Sequence, residues 1–166
     1  MSRFERELSL RKIRGVAEYQ FGAGVGSKLF PAEVKIVYSK RTGRIRHVYF
    51  KEQLLATLRP TDGLFSLNVQ GAKRLLKIVP RPKLRVVIQK EVTSIIRRGG
   101  NVFAKHVLEA DHELLPRDEV IVVDVEDNIL AIGRAVLNGQ EMLSFKRGVA
   151  VKVRRGVEYN NGKETG

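Results

Sequence analysis

The densest run of residues able to handle phosphate is Ile95-Ile96-Arg97-Arg98-Gly99-Gly100-Asn101-Val102-Phe103-Ala104-Lys105-His106-Val107, with Lys90 just upstream. Two guanidiniums carry fixed positive charge in a fork that matches phosphate oxygens. The glycines after them leave the backbone bare, so an anion can approach amide N–H groups. Lys105 adds charge, and Asn101 or His106 can reach a sugar or base. The same ingredients have a local use, since arginine suits the negative end of a helix and glycine caps it. Both readings stand on spacing alone. A second basic run, Lys146 to Arg155, contains Lys146, Arg147, Lys152, Arg154 and Arg155 and no acid. Within it Val149, Val151 and Val153 alternate with Ala150, Lys152 and Arg154, so a period of two turns the valines inward and the bases outward. Five unbalanced bases favour nucleic acid over mere solubility.

Other candidate chemistry is weaker. Phe21-Gly22-Ala23-Gly24-Val25-Gly26-Ser27 resembles a glycine-rich nucleotide loop only superficially. A dinucleotide fingerprint needs a strand before it and a helix after it, and a phosphate loop needs Gly-Lys-Ser/Thr; here a predicted helix precedes and Lys28 follows the serine. It reads as a flexible turn. Glu109, Asp111 and Glu113 with His106 and His112 lack zinc spacing and read as a solvated acidic face on a loop. Sequence order nominates no Ser/His/Asp triad. The absence of cysteine excludes disulfides, thiolate zinc sites, iron–sulfur clusters and a cysteine nucleophile. No metal, cofactor or catalytic residue is expected.

A chain of 166 residues accommodates one or two small domains and no large catalytic barrel. The chain carries 31 Lys and Arg against 18 Asp and Glu, a formal charge of +13. Up to Pro80 there are 16 bases and 6 acids, and beyond it 15 bases and 12 acids. The second part is further segregated: Arg81 to Lys105 holds seven bases and one acid, whereas Glu109 to Asp127 holds eight acids and one base. If the two basic runs lie side by side they form one phosphate-attracting groove, with the acidic run on a separate face. A membrane surface would require an amphipathic helix with exposed large apolar residues, and none is evident. No apolar run reaches the roughly 18 residues a membrane span needs. The charged N-terminus has no secretory character, so the expected compartment is the cytoplasm.

Val79-Pro80-Arg81-Pro82 disfavours helix and separates two segments. In the first, a helix over Phe4–Tyr19 is expected to bury Phe4, Leu8, Ile13, Val16 and Ala17. Strands are expected over 33–39, 44–50, 54–58 and 64–67, with turns at Lys40-Arg41-Thr42-Gly43 and Arg59-Pro60-Thr61-Asp62-Gly63. A helix over Val69–Ile78 closes the segment. The second segment predicts a strand over 84–88, a helix over 91–98 using Val92, Ile95 and Ile96, and strands near 101–103, 119–125, 130–136 and 149–153. These make an α+β N-terminal domain (1–79), then a mostly β pseudobarrel (80–157), then a flexible tail (158–166).

The second segment resembles the PUA domain through Gly99 to Val107, Asp118-Glu119-Val120-Ile121-Val122-Val123, Leu130-Ala131-Ile132-Gly133-Arg134-Ala135, and Lys146-Arg147-Gly148-Val149-Ala150-Val151-Lys152-Val153. The first is similar to the domain that precedes PUA in archaeal archaeosine tRNA-guanine transglycosylases, through Ala17-Glu18-Tyr19-Gln20-Phe21-Gly22 and Leu54 to Phe65. The resemblance implies a pseudobarrel gripping structured RNA, usually tRNA, with Lys90, Arg97, Arg98, Gly99, Gly100, Asn101, Lys105, His106, Lys146, Arg147, Lys152 and Arg154 as its RNA-binding residues. It also implies a non-catalytic RNA-binding protein serving tRNA modification, alone or with a separately encoded enzyme, because the transglycosylase barrel and its cysteine-rich zinc site have no counterpart in these 166 residues. The alternatives are a small RNA-modifying enzyme using Asp111, His112 and Glu113, a catalytically dependent subunit of a transglycosylase-like or archaeosine synthase-like complex, and a protein-assembly subunit.

Overall fold

A computed structural model describes residues 2–159, which divide into two compact units meeting between Pro80 and Arg81. The expected tail from Asn160 onward lies outside the described residues. Among the described residues no helix is long and apolar enough to cross a membrane.

In the first unit, α1 (Arg3–Phe21) opens with a capping box in which Ser2 and Glu5 each satisfy the other's backbone N–H. Its buried residues are Leu10, Ile13, Ala17 and Phe21, spaced three or four apart on one face. Phe4 and Leu8, expected in the core, are 68% and 46% exposed. At 3.6 residues per turn they fall opposite that stripe, so the expected face had merged two sides of the helix.

The glycine-rich stretch is an ordered joint rather than a loose turn. Gly22 and Gly24 take positive φ, and α2 (Val25–Leu29) follows at once. The Glu18 carboxylate accepts from the amides of Gly24 and Gly26, filling the positions a phosphate would need.

Strands β1 (Lys35–Tyr38), β2 (Ile45–Phe50), β3 (Gln53–Leu58) and β4 (Phe65–Leu67) form an antiparallel meander in that order, and α3 (Val69–Ile78) packs against β3. Gln20 of α1 bonds the backbone of Phe65 in both directions, at 2.9 and 2.7 Å, so its amide extends the ladder beyond β4. The Phe30 and Phe65 rings meet with centroids 5.2 Å apart.

On β2, His47 pairs with Thr57, its Nδ1 lying 3.0 Å from Oγ1. Burial first and the adjacent Arg46 charge second hold its pKa below the ordinary 6.5. The unfolded chain therefore binds more protons than the folded chain just below that value. Stability is full above pH 6.5 and falls as pH drops toward the lowered pKa. Thermal melting across this range is expected to show the decline, and His47→Gln to flatten it.

The second unit contains β5 (Arg85–Ile88), a 3-10 turn (Lys90–Val92), α4 (Thr93–Arg97), β6 (Val102–Phe103), a second 3-10 turn (Ala104–His106), β7 (Val107–Ala110), β8 (Glu119–Val123), β9 (Ile129–Ala135), α5 (Gly139–Ser144) and β10 (Val149–Gly156). The sheet order is β6-β10-β9-β8-β5-β7, with β5 and β8 parallel and the other pairs antiparallel, and it curls into a nearly closed pseudobarrel. Val86, Ile88, Ile96, Val102, Leu130 and Val151 belong to its core.

The expected helix over 91–98 is a 3-10 turn leading into a short helix, and only Ile96 of the expected residues is fully buried; Ile95 is exposed. Ala150 is buried beside Val151, against a strict alternation along β10. A register shift between Val149 and Val151 breaks the alternation there.

Strand β7 and helix α5 went unpredicted, as did α2 of the first unit. Strand β7 pairs with β5 where a loop was expected. Helix α5 carries an Asn138/Glu141 capping box, a signal present in the local sequence.

Part of the expected acidic face is absorbed into the structure, while Glu109, Glu113, Asp118 and Glu126 remain exposed. Asp127 holds buried Arg85 bidentately at 2.8 and 3.0 Å, and Arg85 also donates to the Lys83 carbonyl. Asp111 accepts from the Leu84 and Glu113 amides at 2.8 and 2.9 Å. Glu109 pairs with Arg81, and Asp118 accepts from the Leu115 amide. A buried charge requires a partner, so Asp111 acts as a structural acceptor and half-buried Asp127 serves Arg85, whereas Glu109 and Asp118 keep solvent access.

Candidate nucleic-acid interface

Strand β10 is the spine along which the basic residues are arranged. Its eight residues run about 26 Å at roughly 3.3 Å each.

At its start, Val149 pairs with Phe103 of β6, and the Ala104 amide donates to the Gly148 carbonyl at 2.9 Å. This seats the turn bearing Lys105 and His106 against the loop bearing Lys146 and Arg147. The Gln89 amide donates to the His106 carbonyl at 3.0 Å, which brings Lys90 to the same corner. Residues 16 and some 40 positions apart thus meet through backbone hydrogen bonds. Lys90, Lys105, Lys146 and Arg147 are exposed and His106 is half-buried. None of these side chains makes an ion pair among the described residues. Phe103 and Phe145, each 45% exposed, stand among them. Aromatic rings between cations offer stacking faces for bases beside charge for phosphates. Sequence reasoning missed both rings, although Phe145-Lys146-Arg147 is itself an aromatic–basic signal.

Midway, Lys152 faces Arg134 across the β9–β10 pairing. Arg134 was also missed. Its side chain makes no hydrogen bond or ion pair among the described residues, and across the β8–β9 pairing it stands opposite Glu119, whose carboxylate is held by Arg154.

Arg154, two residues further, differs. Its guanidinium holds both oxygens of Glu119, one at 2.8 Å, and the Glu119 side chain is 0% exposed while that of Arg154 is 35% exposed. Arg154 is therefore committed to a carboxylate that the strand sequence could not reveal, 35 positions away in β8.

At the far end lie Arg97, Arg98, Gly99 and Gly100. The Gly99 and Gly100 amides donate to the Ile96 and Ile95 carbonyls at 2.9 and 3.0 Å, so they cap α4 instead of facing outward. Gly99, at φ +103°, has the conformation such a cap demands. A Cβ there would sit 3.6 Å from the Tyr159 ring. Arg98 donates to the carbonyl and hydroxyl of Ser94.

Arg97 lies close enough to Asp124 to influence its ionisation. Burial pushes the Asp124 carboxyl upward, but hydrogen bonds from the Asn128 side chain and from the Asn128 and Glu126 amides, with the Arg97 charge, leave it below the ordinary carboxylate range.

Asn101 Oδ1 accepts from the Val153 amide at 2.9 Å, which ties the loop to β10 near the register shift between Val153 and Arg155. Its oxygen thus serves the fold rather than a sugar or base.

The twelve sequence-predicted residues consequently divide. Lys90, Lys105, His106, Lys146 and Arg147 gather at one corner, and Lys152 joins Arg134 on the strand face. Arg154, Arg98, Gly99, Gly100 and Asn101 are engaged within the fold, and Arg97 sits near a carboxylate. Among Asp111, His112 and Glu113, the Asp111 carboxylate is occupied by two backbone amides. Among the described residues no group of three or more His, Asp or Glu is placed to hold a metal ion.

Comparison with known proteins follows the same division. Residues 11–82 match the patch-forming domain C2 of tRNA-guanine transglycosylase, and residues 84–157 match the PUA domain. The chain is 46% identical over 154 residues to the tRNA-guanine(15) transglycosylase of Thermococcus kodakarensis, covering 93% of this chain and 26% of that protein. It is 42% identical over 147 residues to the transglycosylase of Methanothermobacter thermautotrophicus, covering 89% and 22%. The chain thus spans about a quarter of the length of these relatives.

A solved structure of a Pyrococcus horikoshii protein shares the fold at a TM-score of 0.74, with 23% identity and 96% of each chain covered. A PUA-domain protein of Thermoplasma acidophilum does so at 0.65, with 14% identity over 97% of this chain and 96% of that one. From the two matched domains and these relatives, the chain is a PUA-domain protein that resembles the C-terminal part of the archaeal tRNA-guanine transglycosylases.

Proposed function

We propose that this chain binds structured RNA, tRNA above all, without catalysing a reaction itself, and serves tRNA modification together with a separately encoded enzyme. The observation that carries the reading is the corner where Lys90, Lys105, His106, Lys146 and Arg147 converge around exposed Phe103 and Phe145 with no paired carboxylate. Lys105, Lys146 and Arg147 neutralise phosphates, the rings stack against unpaired bases, and Lys152 with Arg134 extends the track along β10. Paired RNA presents its backbone and 2′-hydroxyls more readily than its base edges, so shape and charge dominate over sequence. The kinship with enzymes named for tRNA supports tRNA as the ligand and modification as the context.

With about five phosphate contacts, log affinity is expected to fall with log salt at a slope of roughly −3.5 to −4.5, a loss of about 100- to 500-fold between about 50 and 200 mM salt. Gel shifts of a tRNA transcript measure this. Lys105→Glu with Lys146→Glu should weaken binding most at low salt and flatten the slope. A slope near zero, or an unchanged affinity in that variant, contradicts the reading. Nucleoside mass spectrometry of tRNA incubated with the protein alone should show no change, and a new or lost nucleoside would make the chain an enzyme.

A further inference from the structure

The meander of the first unit places the β1–β2 turn and the β3–β4 turn at the same end of the sheet, as an antiparallel four-strand order requires. Between them opens a cleft of about 470 Å³. Its wall carries Lys12 from α1, Arg41 and Arg44 from the first turn region, Arg46 from β2, and Arg59 from the second turn, and no carboxylate lines it. Ile45 and Leu58, both buried, contribute apolar surface.

Arg59 is held by Asp62, with Nε to Oδ1 at 3.1 Å and one terminal nitrogen to Oδ2 at 2.9 Å. The side chains of Lys12, Arg41, Arg44 and Arg46 make no hydrogen bond or ion pair among the described residues. Four uncompensated cations around a concavity repel one another and focus a positive potential into it, which an anion relieves. The lining holds no aromatic ring and no side-chain amide, so nothing there stacks on a base or reads its edge. What it offers is guanidinium forks for phosphate oxygens and the Ser39 and Thr42 hydroxyls for a phosphate or ribose.

We propose that this cleft is a second RNA site, in which the first unit holds a stretch of sugar–phosphate backbone independently of base identity. The proposal deepens the RNA-binding reading and rests on it for the source of the phosphate. The chemistry of the cleft stands without it.

The test uses the full chain. Affinity for tRNA is measured over a salt series for the wild type, for Arg41→Gln with Arg44→Gln, and for the second-unit variant Lys105→Glu with Lys146→Glu. In parallel, inorganic pyrophosphate alone is titrated into the wild type while the Thr42 and Gly63 amides are followed by NMR. The cleft variant is expected to bind about 10-fold more weakly near physiological salt, with a slope shallower by about 1.4 to 1.8, as two lost phosphate contacts imply. Pyrophosphate is expected to shift both amides. Arg41 and Arg44 are exposed, so melting should be unchanged. If that pair nevertheless unfolds, Lys12→Gln alone should give about half the change in slope.

An unaltered slope overturns the proposal, and if the second-unit variant still loses affinity the RNA reading survives it. A shallower slope with unmoved amides also overturns it, since the charges then act only through the long-range field. Amides that respond to pyrophosphate in a protein that binds no tRNA assign the cleft to small free phosphates, which defeats both the RNA source and the reading beneath it.

Discussion

Arg154→Ala is expected to destabilise the second unit by about 3 kcal/mol, the usual cost of stranding one member of a buried ion pair. The Glu119 carboxylate is fully enclosed and receives both terminal nitrogens of Arg154. Truncating the arginine leaves a buried charge with its principal counter-ion removed. Lys152→Ala, two residues away on the same strand, should leave stability within about 0.5 kcal/mol, since an exposed lysine without an ion pair has little to lose. Its effect should appear in RNA affinity, as a salt slope shallower by roughly 0.7 to 0.9. The double variant Arg154→Met with Glu119→Leu should recover most of the lost stability, because no lone charge remains. Denaturant melts of the four proteins decide the matter. If Arg154→Ala melts like Lys152→Ala, the pair does not anchor β10 to β8 in the way described.

Gly133→Ala is expected to cost about 2 to 3 kcal/mol, at the upper end of ordinary overpacking. Gly133 is buried in β9 directly opposite Val153. A Cβ at that position would overlap the Lys152 carbonyl oxygen and come within 2.9 Å of the Val153 Cα. The obstacle is backbone, which cannot swing aside, so the β9–β10 pairing must open. That pairing also sets Lys152 against Arg134, so the surviving folded molecules should bind RNA more weakly. Gly15→Ala supplies the opposite control. Gly15 is exposed within α1, and a Cβ there meets nothing within 4 Å. Alanine at that point should stabilise the first unit by about 0.5 to 1 kcal/mol through helix propensity. Thermal melting of both variants gives the signs directly, and a Gly133→Ala protein as stable as the wild type would refute the close approach.

The contrast between α3 and α1 shows why some elements were legible and others were not. Val69–Ile78 was delimited correctly, since a helix flanked by turn and proline signals needs no distant partner to be recognised. In α1 the helix was recognised but its face was not, because Phe4 and Leu8 also recur at helical spacing and only packing selects Leu10, Ile13, Ala17 and Phe21. Strand β7 lacked punctuation, and it is defined by pairing with β5, about 20 positions earlier. Missing α5 was avoidable, since its capping box is local.

The same distinction governs the candidate interface. Charge is additive along a chain, so the excess of bases and the basic run from Lys146 to Arg155 can be read by counting, and the motif strings from Gly99 to Val107 and from Lys146 to Val153 point to the PUA domain. Cancellation of charge is a pairwise property that falls off with distance in space, not along the chain. Only the folded strands bring Glu119 to Arg154, Asp127 to Arg85 and the Val153 amide to Asn101, removing those groups from the exposed set. Only the fold leaves Lys105 beside Lys146, opposes Lys152 with Arg134, and gathers Lys12, Arg41, Arg44 and Arg46 around one cleft. Counting residues gives the amount of positive charge and the motif strings give the scaffold that bears it, whereas only the packed strands select the charges that stay open to a phosphate.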